Sequence, residues 1–537
     1  MLSNLLLYTY NDSSYTFIYN LYRYTGVSYV ANNNNLLSNI DPLTHYLMNL
    51  LNPYLNPVLL NNIFVLLSLS LSLFFSYKLF THLSKQKVMA VVFAFLNAFS
   101  LYYVYRVTSA TYALMFTFIF PLILLLIIKR INYFYIGGTV AVSLLISNYY
   151  GFFTLILCFC WLLSAAIIRE IDVSVFIKDC TKLIMVPLFV AGVLFGPMFV
   201  HNIPIFGNYA PHAAASTIYR SIDDWYVFSF RPWYFVLPPT DSLFFAKLST
   251  LAYEKIASTH WYLAQNYAEE EMAGSYMGWH FVLGFILILG LVLRKRFLHK
   301  KCNMFCDLYT HDGLILKSVL TIFLILLLSG PPSITIFGVT LYTPSYLLYH
   351  IIPVFRTLVR WSVVIYLLIL VVNYFLVLDI YSRIIHKYVK LIFVSGFILL
   401  NVCIFAVRLP VINVSKPPSD IVFLSKLSGE STNSPALKDK ISYIVFPHSN
   451  YYSLFWILYH KQYLVNSLPG DISNVCNVAA ISTNDCLENL HAQYIVFYFN
   501  TRHSQDQDPI YREYLEGYFG NPIYNDGRTV IYKSQSL

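Results

Sequence analysis

The sequence predicts a polytopic helical membrane protein that ends in a small soluble α/β domain. Hydrophobic residues make up 58% of the chain and charged residues 11%, whereas a soluble domain carries roughly 25% charged residues. Apolar runs near the ~20 residues needed to cross a bilayer recur along the chain. From about residue 409 polar and charged residues return, and no later run is long enough to span. We therefore predict a membrane all-α bundle of about ten spans, followed by the soluble domain.

The ten predicted spans define a transmembrane domain over residues 58–408. Two long connections interrupt it, at about 201–279 and 331–357, and both contain paired prolines, which stop helices. The spans cover about 58–79, 88–105, 110–128, 133–148, 150–168, 183–200, 280–298, 314–330, 358–380 and 390–408.

The distribution of Lys and Arg predicts the orientation of these spans. One set of alternating connections carries 17 Lys and Arg residues, and the other carries 7 over a greater length. Basic residues favour the cytoplasmic side, so the first set is predicted to be cytoplasmic. Both long connections and both chain ends are then extracytoplasmic. The net charge of +9 follows from these clusters and forms no continuous stripe for nucleic acid, so no nucleic-acid partner is predicted.

An extracytoplasmic segment is predicted over residues 1–57, ahead of the first span. Its longest apolar run, Leu5–Tyr8, is far too short to cross a bilayer. Two explanations stay open for a chain whose N-terminus is extracytoplasmic. A further helix once preceded Met1, or the chain begins there and inserts unaided.

A second soluble region is predicted over residues 409–537. Pro417-Pro418 marks the linker, and runs rich in Val, Ile, Tyr and Phe indicate strands of a mixed sheet. The predicted strands are Ile441–Phe446, Tyr494–Tyr498 and Thr529–Lys533, and the predicted helices are Tyr452–His460 and Tyr511–Tyr518.

Carboxylates in the predicted extracytoplasmic segments are the candidate catalytic residues. Asp12 and Asp41 lie in the N-terminal segment, and a carboxylate can take a proton from an attacking hydroxyl. The alternative is that each caps a helix, since Asp before Pro or Ser is a common start signal. The acidic runs 223–224 and 269–271 are interpreted as solvated loop faces.

Four arginines beside predicted spans are the candidate phosphate ligands: Arg106, Arg231, Arg356 and Arg360. The guanidinium fork binds phosphate through two parallel hydrogen bonds, so a lipid phosphate at the membrane surface is a suitable partner. If their segment is helical, Arg356 and Arg360 share one face. The alternative is that these side chains snorkel toward lipid headgroups.

Several kinds of site are excluded or weakly supported by the sequence. No phosphate-binding Gly-rich loop, dinucleotide fingerprint or nucleophile elbow occurs. His299, Cys302, Cys306 and His311 offer zinc-type ligands, but their spacing matches no standard zinc site. No metal ligands are therefore predicted, and a divalent cation, Mg or Mn, is kept only as an alternative cofactor.

The order of short motifs resembles the C-type membrane glycosyltransferases, in particular the prokaryotic branch with a C-terminal extracytoplasmic domain. The resemblance runs from about residue 41 to the C-terminus, and each motif is weak by itself. The motifs are Asn56-Pro57-Val58, Asn97-Ala98-Phe99-Ser100 followed by Arg106, Ser147-Asn148-Tyr149-Tyr150-Gly151, Arg231-Pro232-Trp233 with Pro238-Pro239, Gly330-Pro331-Pro332, Pro353-Val354-Phe355-Arg356 with Arg360-Trp361, Phe446-Pro447-His448 and Gln493-Tyr494-Ile495-Val496.

This resemblance implies transfer of a sugar from a polyprenyl-phosphate donor to a glycan, lipid or protein acceptor at the extracytoplasmic face. It implies catalytic acids early in the chain, for which Asp12 is the nearest match and Asp41 the second. The chain departs from the family pattern because the first helix and an Asp-x-Asp or Asp-Glu pair are missing there. Two other functions stay open: a non-catalytic membrane assembly or interaction protein, and a lipid or solute transporter.

Overall fold

The computed structural model describes most of the predicted transmembrane region and parts of both flanking segments. The described residues are 5–7, 41–201, 221–258, 271–298, 311–427, 442–446, 452–464, 493–499 and 513–533, without 272, 337, 354, 356, 453, 454, 461, 514 and 518.

Every predicted span coincides with a helix or a pair of helices in the structure. Five helices are long and apolar enough to cross a membrane within the described ranges, or six if one pair bent by 41° forms a single span. Most of the other predicted spans correspond to shorter or broken helices, and the span 183–200 lies within the 29-residue helix Val173–His201, so the number ten stays a prediction. The membrane-region helices are Pro42–Leu51, Pro57–Leu83, Lys87–Ala98, Leu101–Thr108, Tyr112–Met115, Ile119–Ile128, Tyr133–Ile146, Asn148–Ile167, Val173–His201, Ile222–Val227, Ala246–Ala257, Trp279–Leu298, Asp312–Ser329, Pro344–Ile351, Ser362–Arg383 and Lys387–Phe405.

The helix Ser362–Arg383 forms the centre of the bundle. It is apolar on all sides, and its residues are buried almost throughout, as expected of a helix with no solvated face. The helix Lys387–Phe405 is equally apolar but largely exposed, so its surface suits contact with lipid. The central helix follows directly from a 3₁₀ turn, Leu358–Trp361, so that turn lies on the axis of the bundle.

Small and polar side chains join the helices inside the bundle. Hydroxyl oxygens of Ser72 and Thr117 lie 2.8 Å apart, and Asn97 Nδ2 donates to Ser76 Oγ at 2.8 Å. A Cβ atom at Gly151 would lie 2.6 Å from Leu144 Cα, which shows how closely two neighbouring helices pack. Such contacts replace the hydrophobic effect, which does not drive helix association within lipid.

Connections that are predicted to lie on the same side of the membrane contact each other, and the two sets do so at opposite ends of the bundle. At one end Glu170 pairs with Arg130 at 3.2 Å and with Lys317 at 2.6 Å. Arg130 and Glu170 come from predicted cytoplasmic connections, and Lys317 lies near the start of the predicted span 314–330. At the other end Arg408 N donates to Asp241 O at 3.0 Å, which joins the predicted exterior loop to the end of the last span. These contacts bring segments of the same predicted set together at each end, and the alternation of the chain across the membrane stays a prediction.

A short antiparallel sheet joins the N-terminal segment to the start of the C-terminal segment. Leu5–Leu7 pairs with Val411–Asn413, with Leu6 opposite Ile412. Strand pairing requires both segments to be on the same side of a membrane, because backbone groups pair directly across the two strands. The pairing therefore puts these two strands on one side of the membrane, and the extracytoplasmic location of that side stays a prediction.

The predicted sheet in the C-terminal segment is present and is mixed. Two parallel pairings join its first three strands, and two antiparallel pairings complete it. The strands, in spatial order, are Tyr463–Leu464, Ser442–Phe446, Tyr494–Tyr498, Thr529–Lys533 and Tyr524–Asn525, and the accompanying helices include Ser419–Lys426 and Ile457–His460. A separate hairpin, Ser333–Ile336 with Val339–Tyr342, lies in the second long connection.

Candidate functional site

Two arginines and one glutamate from distant parts of the chain meet at the end of the bundle predicted to be extracytoplasmic. Glu271 accepts a hydrogen bond from Arg106 Nη2 and one from Arg360 Nε at 3.0 Å. The exposed side-chain fractions are 6% for Arg106, 13% for Arg360 and 9% for Glu271. We call these three residues the Arg–Glu–Arg cluster. Two positive charges and one negative charge leave it with a net charge of +1.

Arg106 is placed by a break in the second predicted span. Ser100 Oγ accepts a hydrogen bond from Tyr103 N at 3.4 Å and starts a new helix, Leu101–Thr108, after Lys87–Ala98 ends. Ser is a favoured N-cap residue because its oxygen satisfies a free N–H in the first turn. The resulting bend of 41° precedes Arg106 in the last turn of the new helix, where a cation also interacts well with the helix dipole.

Glu271 is anchored by the short turn that follows it. Ser275 Oγ donates to the backbone oxygen of Glu271 at 3.3 Å, within the region of the 3₁₀ turn Ala273–Ser275. This turn packs against the helix of Arg106, because a Cβ atom at Gly274 would lie only 3.4 Å from Tyr102 Cα. The carboxylate of Glu271 is thus held at a fixed place beside Arg106.

Arg360 enters the cluster from the turn that begins the central helix. Phe228 O accepts a hydrogen bond from Val359 N at 2.9 Å, which ties this turn to the first long connection. A cation near a helix N-terminus is electrostatically unfavourable, and the carboxylate of Glu271 offsets this effect. The ring of Tyr149 adds a cation–π contact, with its centroid 5.0 Å from Arg360 Cζ.

Asp41 lies at the beginnings of two helices beside this cluster. It is the N-cap residue of Pro42–Leu51 but makes no side-chain hydrogen bond to that helix. Its Oδ1 accepts instead from Asn148 N at 3.1 Å, the first residue of Asn148–Ile167. Asp41 therefore occupies the N-cap position of Pro42–Leu51, as the capping interpretation predicts. Its side chain does not cap that helix, however, but accepts a hydrogen bond from an N–H of Asn148–Ile167.

The two carboxylates have opposite pKa shifts for identifiable reasons. Burial raises the pKa of Asp41 to about 6, although the Asn148 N–H, Ser147 and the charge of Arg360 lower it in part. Burial also acts to raise the pKa of Glu271, but the charges of Arg106 and Arg360 outweigh it and set the pKa at about 2. At neutral pH Glu271 is a fixed anion, while Asp41 titrates close to the working range of a general base.

Buried polar atoms without a protein partner occur beside the cluster. Arg106 Nε and Trp361 Nε1 have no hydrogen-bond acceptor among the residues that the structure describes, and both residues are at least nine-tenths buried. Such groups are rare in folded proteins because an unmade buried hydrogen bond costs about 1–3 kcal/mol. Both atoms are donors, so an acceptor such as a phosphate or a sugar oxygen suits them.

The predicted site residues have different outcomes. Asp41, Arg106 and Arg360 come together, while Asp12 and Arg356 lie outside the described residues. Arg231 is buried, and its Nη1 donates to Ser229 O at 2.7 Å, so this part of its guanidinium holds its own loop. Its phosphate-binding role stays a prediction.

Two interpretations made from the sequence are wrong for the cluster. Arg106 and Arg360 do not snorkel, because both are buried against Glu271. Glu271 is not part of a solvated acidic face, because it is the centre of the cluster. The sequence carried one usable signal: the acidic run 269–271 precedes a predicted span at the same end as two arginines that lack a counter-charge.

The predicted alternative cofactor, Mg or Mn, stays a prediction. Within the described ranges no three His, Cys, Asp or Glu side chains lie close enough together to hold a metal ion. Of the four residues in the weak zinc-type pattern, only His311 is described, and its ring stacks on Phe375 with centroids 4.4 Å apart.

Comparison with known proteins finds likenesses among solved structures but none by sequence. No protein-family model and no curated protein matches the sequence. Among solved structures the chain is similar to ArnT from Cupriavidus metallidurans bound to undecaprenyl phosphate, with 11% sequence identity and a TM-score of 0.37, over 99% of this chain and 94% of that chain. At this identity and TM-score the likeness assigns no activity to this chain.

Proposed function

We propose that the protein is a membrane glycosyltransferase that moves a sugar from a polyprenyl-phosphate donor to an acceptor hydroxyl at the extracytoplasmic face. The observation that carries the proposal is a titratable carboxylate, Asp41, within the electrostatic influence of Arg360 and beside the Arg–Glu–Arg cluster. A general base and a phosphate-binding cation pair are the two groups that this reaction requires.

The proposed reaction divides between these groups as follows. The acceptor oxygen forms a bond to the anomeric carbon of the sugar, and Asp41 takes the proton of that hydroxyl. The bond between the anomeric carbon and the phosphate oxygen breaks, and the electron pair leaves with the polyprenyl phosphate. Arg106 and Arg360 stabilise the negative charge that develops on the phosphate.

The position of the site supports a lipid substrate. It lies at the end of the most buried helix, Ser362–Arg383, inside an otherwise apolar bundle. A polyprenyl chain can remain in the bilayer while its phosphate reaches the arginines at the bundle end. The partly exposed ring of Tyr149 beside Arg360 adds aromatic surface of the kind that packs against sugar rings.

The alternative of a non-catalytic membrane protein is favoured by one observation. Glu271 already neutralises one of the two arginines, and buried ion pairs also occur as purely structural joints. In that case the cluster fixes the first long connection to the bundle. Asp41 then has no role beyond the first turn of Asn148–Ile167.

Sugar transfer from labelled polyprenyl-phosphate donors, with purified protein in nanodiscs, tests the proposal. Replacing Asp41 by Asn keeps its shape and its hydrogen bond to Asn148 N but removes the base, so we expect turnover to fall about 10²- to 10⁴-fold. Asp223→Asn, in a partly exposed loop helix at the same end, is the matched control and should retain full turnover. Turnover unchanged in Asp41→Asn, or absent in the wild type with every donor, contradicts the proposal.

A further inference from the structure

Glu271 occupies donor groups that a phosphate would otherwise use. Its Oε1 accepts from both Nε and Nη2 of Arg360, at 3.0 and 2.5 Å, and its Oε2 accepts from Arg106 Nη2. The Nε–Nη2 edge is the guanidinium fork that binds phosphate bidentately. The forked edge of Arg360 is therefore already taken by the protein itself.

The donors that Glu271 does not occupy, Arg106 Nε among them, can accept a limited amount of anionic charge. Arg106 Nε is buried and has no acceptor in the described part of the chain, and the cluster as a whole carries +1. A ligand with one phosphate can approach this donor while Glu271 stays in place. A second phosphate would have to share the arginines with the carboxylate, and the two anions would repel each other at short range.

Both the position and the negative charge of Glu271 are fixed by its surroundings. Its backbone oxygen is held by Ser275 Oγ at 3.3 Å, and the turn that follows packs against Tyr102. The charges of the two arginines keep the pKa of Glu271 at about 2, so protonation does not remove its charge at physiological pH.

We propose that Glu271 is a specificity-determining residue that limits the negative charge accepted by Arg106 and Arg360, so that the site takes a lipid with one phosphate and disfavours a lipid with a pyrophosphate. This inference rests on the proposed function, because it concerns the same anion site. Glu271, which lies between the two arginines, then selects among lipid substrates by their negative charge.

Binding of farnesyl phosphate and farnesyl pyrophosphate to the full-length protein in nanodiscs, measured by calorimetry at fixed salt, tests this role. Wild-type protein should prefer the monophosphate. In Glu271→Gln the affinity for pyrophosphate should rise more than that for monophosphate, and their ratio should shift about tenfold toward pyrophosphate. Glu170→Gln, which removes the acid between Arg130 and Lys317 at the opposite end, should leave the ratio unchanged.

The ratio of affinities keeps the test independent of folding losses. If part of a Glu271→Gln sample is unfolded, the fraction of protein that binds falls equally for both ligands. The ratio of the two affinities then still describes the folded protein. An unchanged ratio, or a shift toward the monophosphate, with normal wild-type binding overturns the role of Glu271 alone. Absence of wild-type binding to both ligands overturns the proposed function as well, so the two failures are distinguishable.

Discussion

At the scale of single residues, the site combines two carboxylates whose surroundings set them to different tasks. Glu271 faces two guanidinium groups and stays ionised, whereas burial leaves Asp41 with a pKa of about 6. Environments that push the pKa values of neighbouring acids apart are typical of sites that move protons. A purely structural ion-pair cluster requires only the first of these acids.

The pKa of Asp41 predicts the pH dependence of turnover. A general base acts in its deprotonated form, so kcat/KM should rise from pH 5 to pH 7, with a midpoint near 6, and then level off. A pH–rate profile of the wild-type protein measures this midpoint. Asp41→Glu, which keeps the base but changes its surroundings, should shift the midpoint, and a profile flat from pH 5 to 7 contradicts the assignment.

The raised pKa of Asp41 also affects the stability of the folded protein, and this effect changes with pH in the opposite direction to turnover. The folded-state pKa of Asp41 lies above its ordinary value of 3.8, so folding favours the protonated carboxyl. The stabilisation that results is fully present below about pH 4 and is lost as the pH rises through about 6. Activity and stability therefore depend on this residue in opposite directions.

At the scale of structural elements, the helix Ala246–Ala257 is suited to lie on a membrane surface. Its buried side packs through Ser249 and Tyr253, while Leu248 and Leu251 are 53% and 64% exposed on another side. Leu243 N, just before this helix, donates to Ala406 O at 2.9 Å, which places the helix beside the end of the last span. Lys255 is exposed on the same side as these leucines, and its long side chain can reach the headgroups, so this face suits the lipid interface.

This arrangement predicts lipid contact on one face of the helix only. The photo-reactive amino acid p-benzoylphenylalanine at position 251 should cross-link to lipid in vesicles, because Leu251 lies on the apolar face. At position 250, where Thr250 is exposed on the polar side next to Lys247 and Glu254, it should give little lipid adduct. Mass spectrometry of the adducts makes the comparison, and equal yields at the two positions would contradict an interfacial helix.

The elements were more predictable from the sequence than the site was. Only helices satisfy every backbone group within lipid, so apolar runs such as that of Pro57–Leu83 locate helices with few alternatives. The pairing of Glu271 with Arg106 depends on packing between segments about 165 residues apart, and no local pattern encodes that. Asp41 and the two arginines were identifiable because each is a charged residue beside an apolar run. A charge in such a position is costly unless it has a partner or a function.

At the scale of the whole molecule, the contacts at the two ends of the bundle predict which surfaces are accessible from each side. Asn521 is exposed in the C-terminal segment, and Ile385 is 88% exposed in the connection between the last two helices. With reactive native cysteines replaced, Asn521→Cys should react with a membrane-impermeant maleimide in intact cells. Ile385→Cys should react only after permeabilisation.

The labelling pattern separates two errors in the predicted topology. The reverse pattern means that the basic connections are extracytoplasmic and the site faces the cytoplasm. Equal labelling of both positions in intact cells means that the alternation of the last span is wrong. Only the reverse pattern would also remove the extracytoplasmic face from the proposed reaction.

The pairing of Leu5–Leu7 with Val411–Asn413 sets the order in which the protein can be completed during synthesis. The two strands are separated by about 400 residues, which a ribosome adds over roughly 20–80 s at ~5–20 residues per second. Throughout that time the first strand has no partner, and all of the bundle helices are made before its partner emerges. Closure of this sheet therefore follows synthesis of the bundle helices, and Leu5–Leu7 reaches its final contacts long after it has been made.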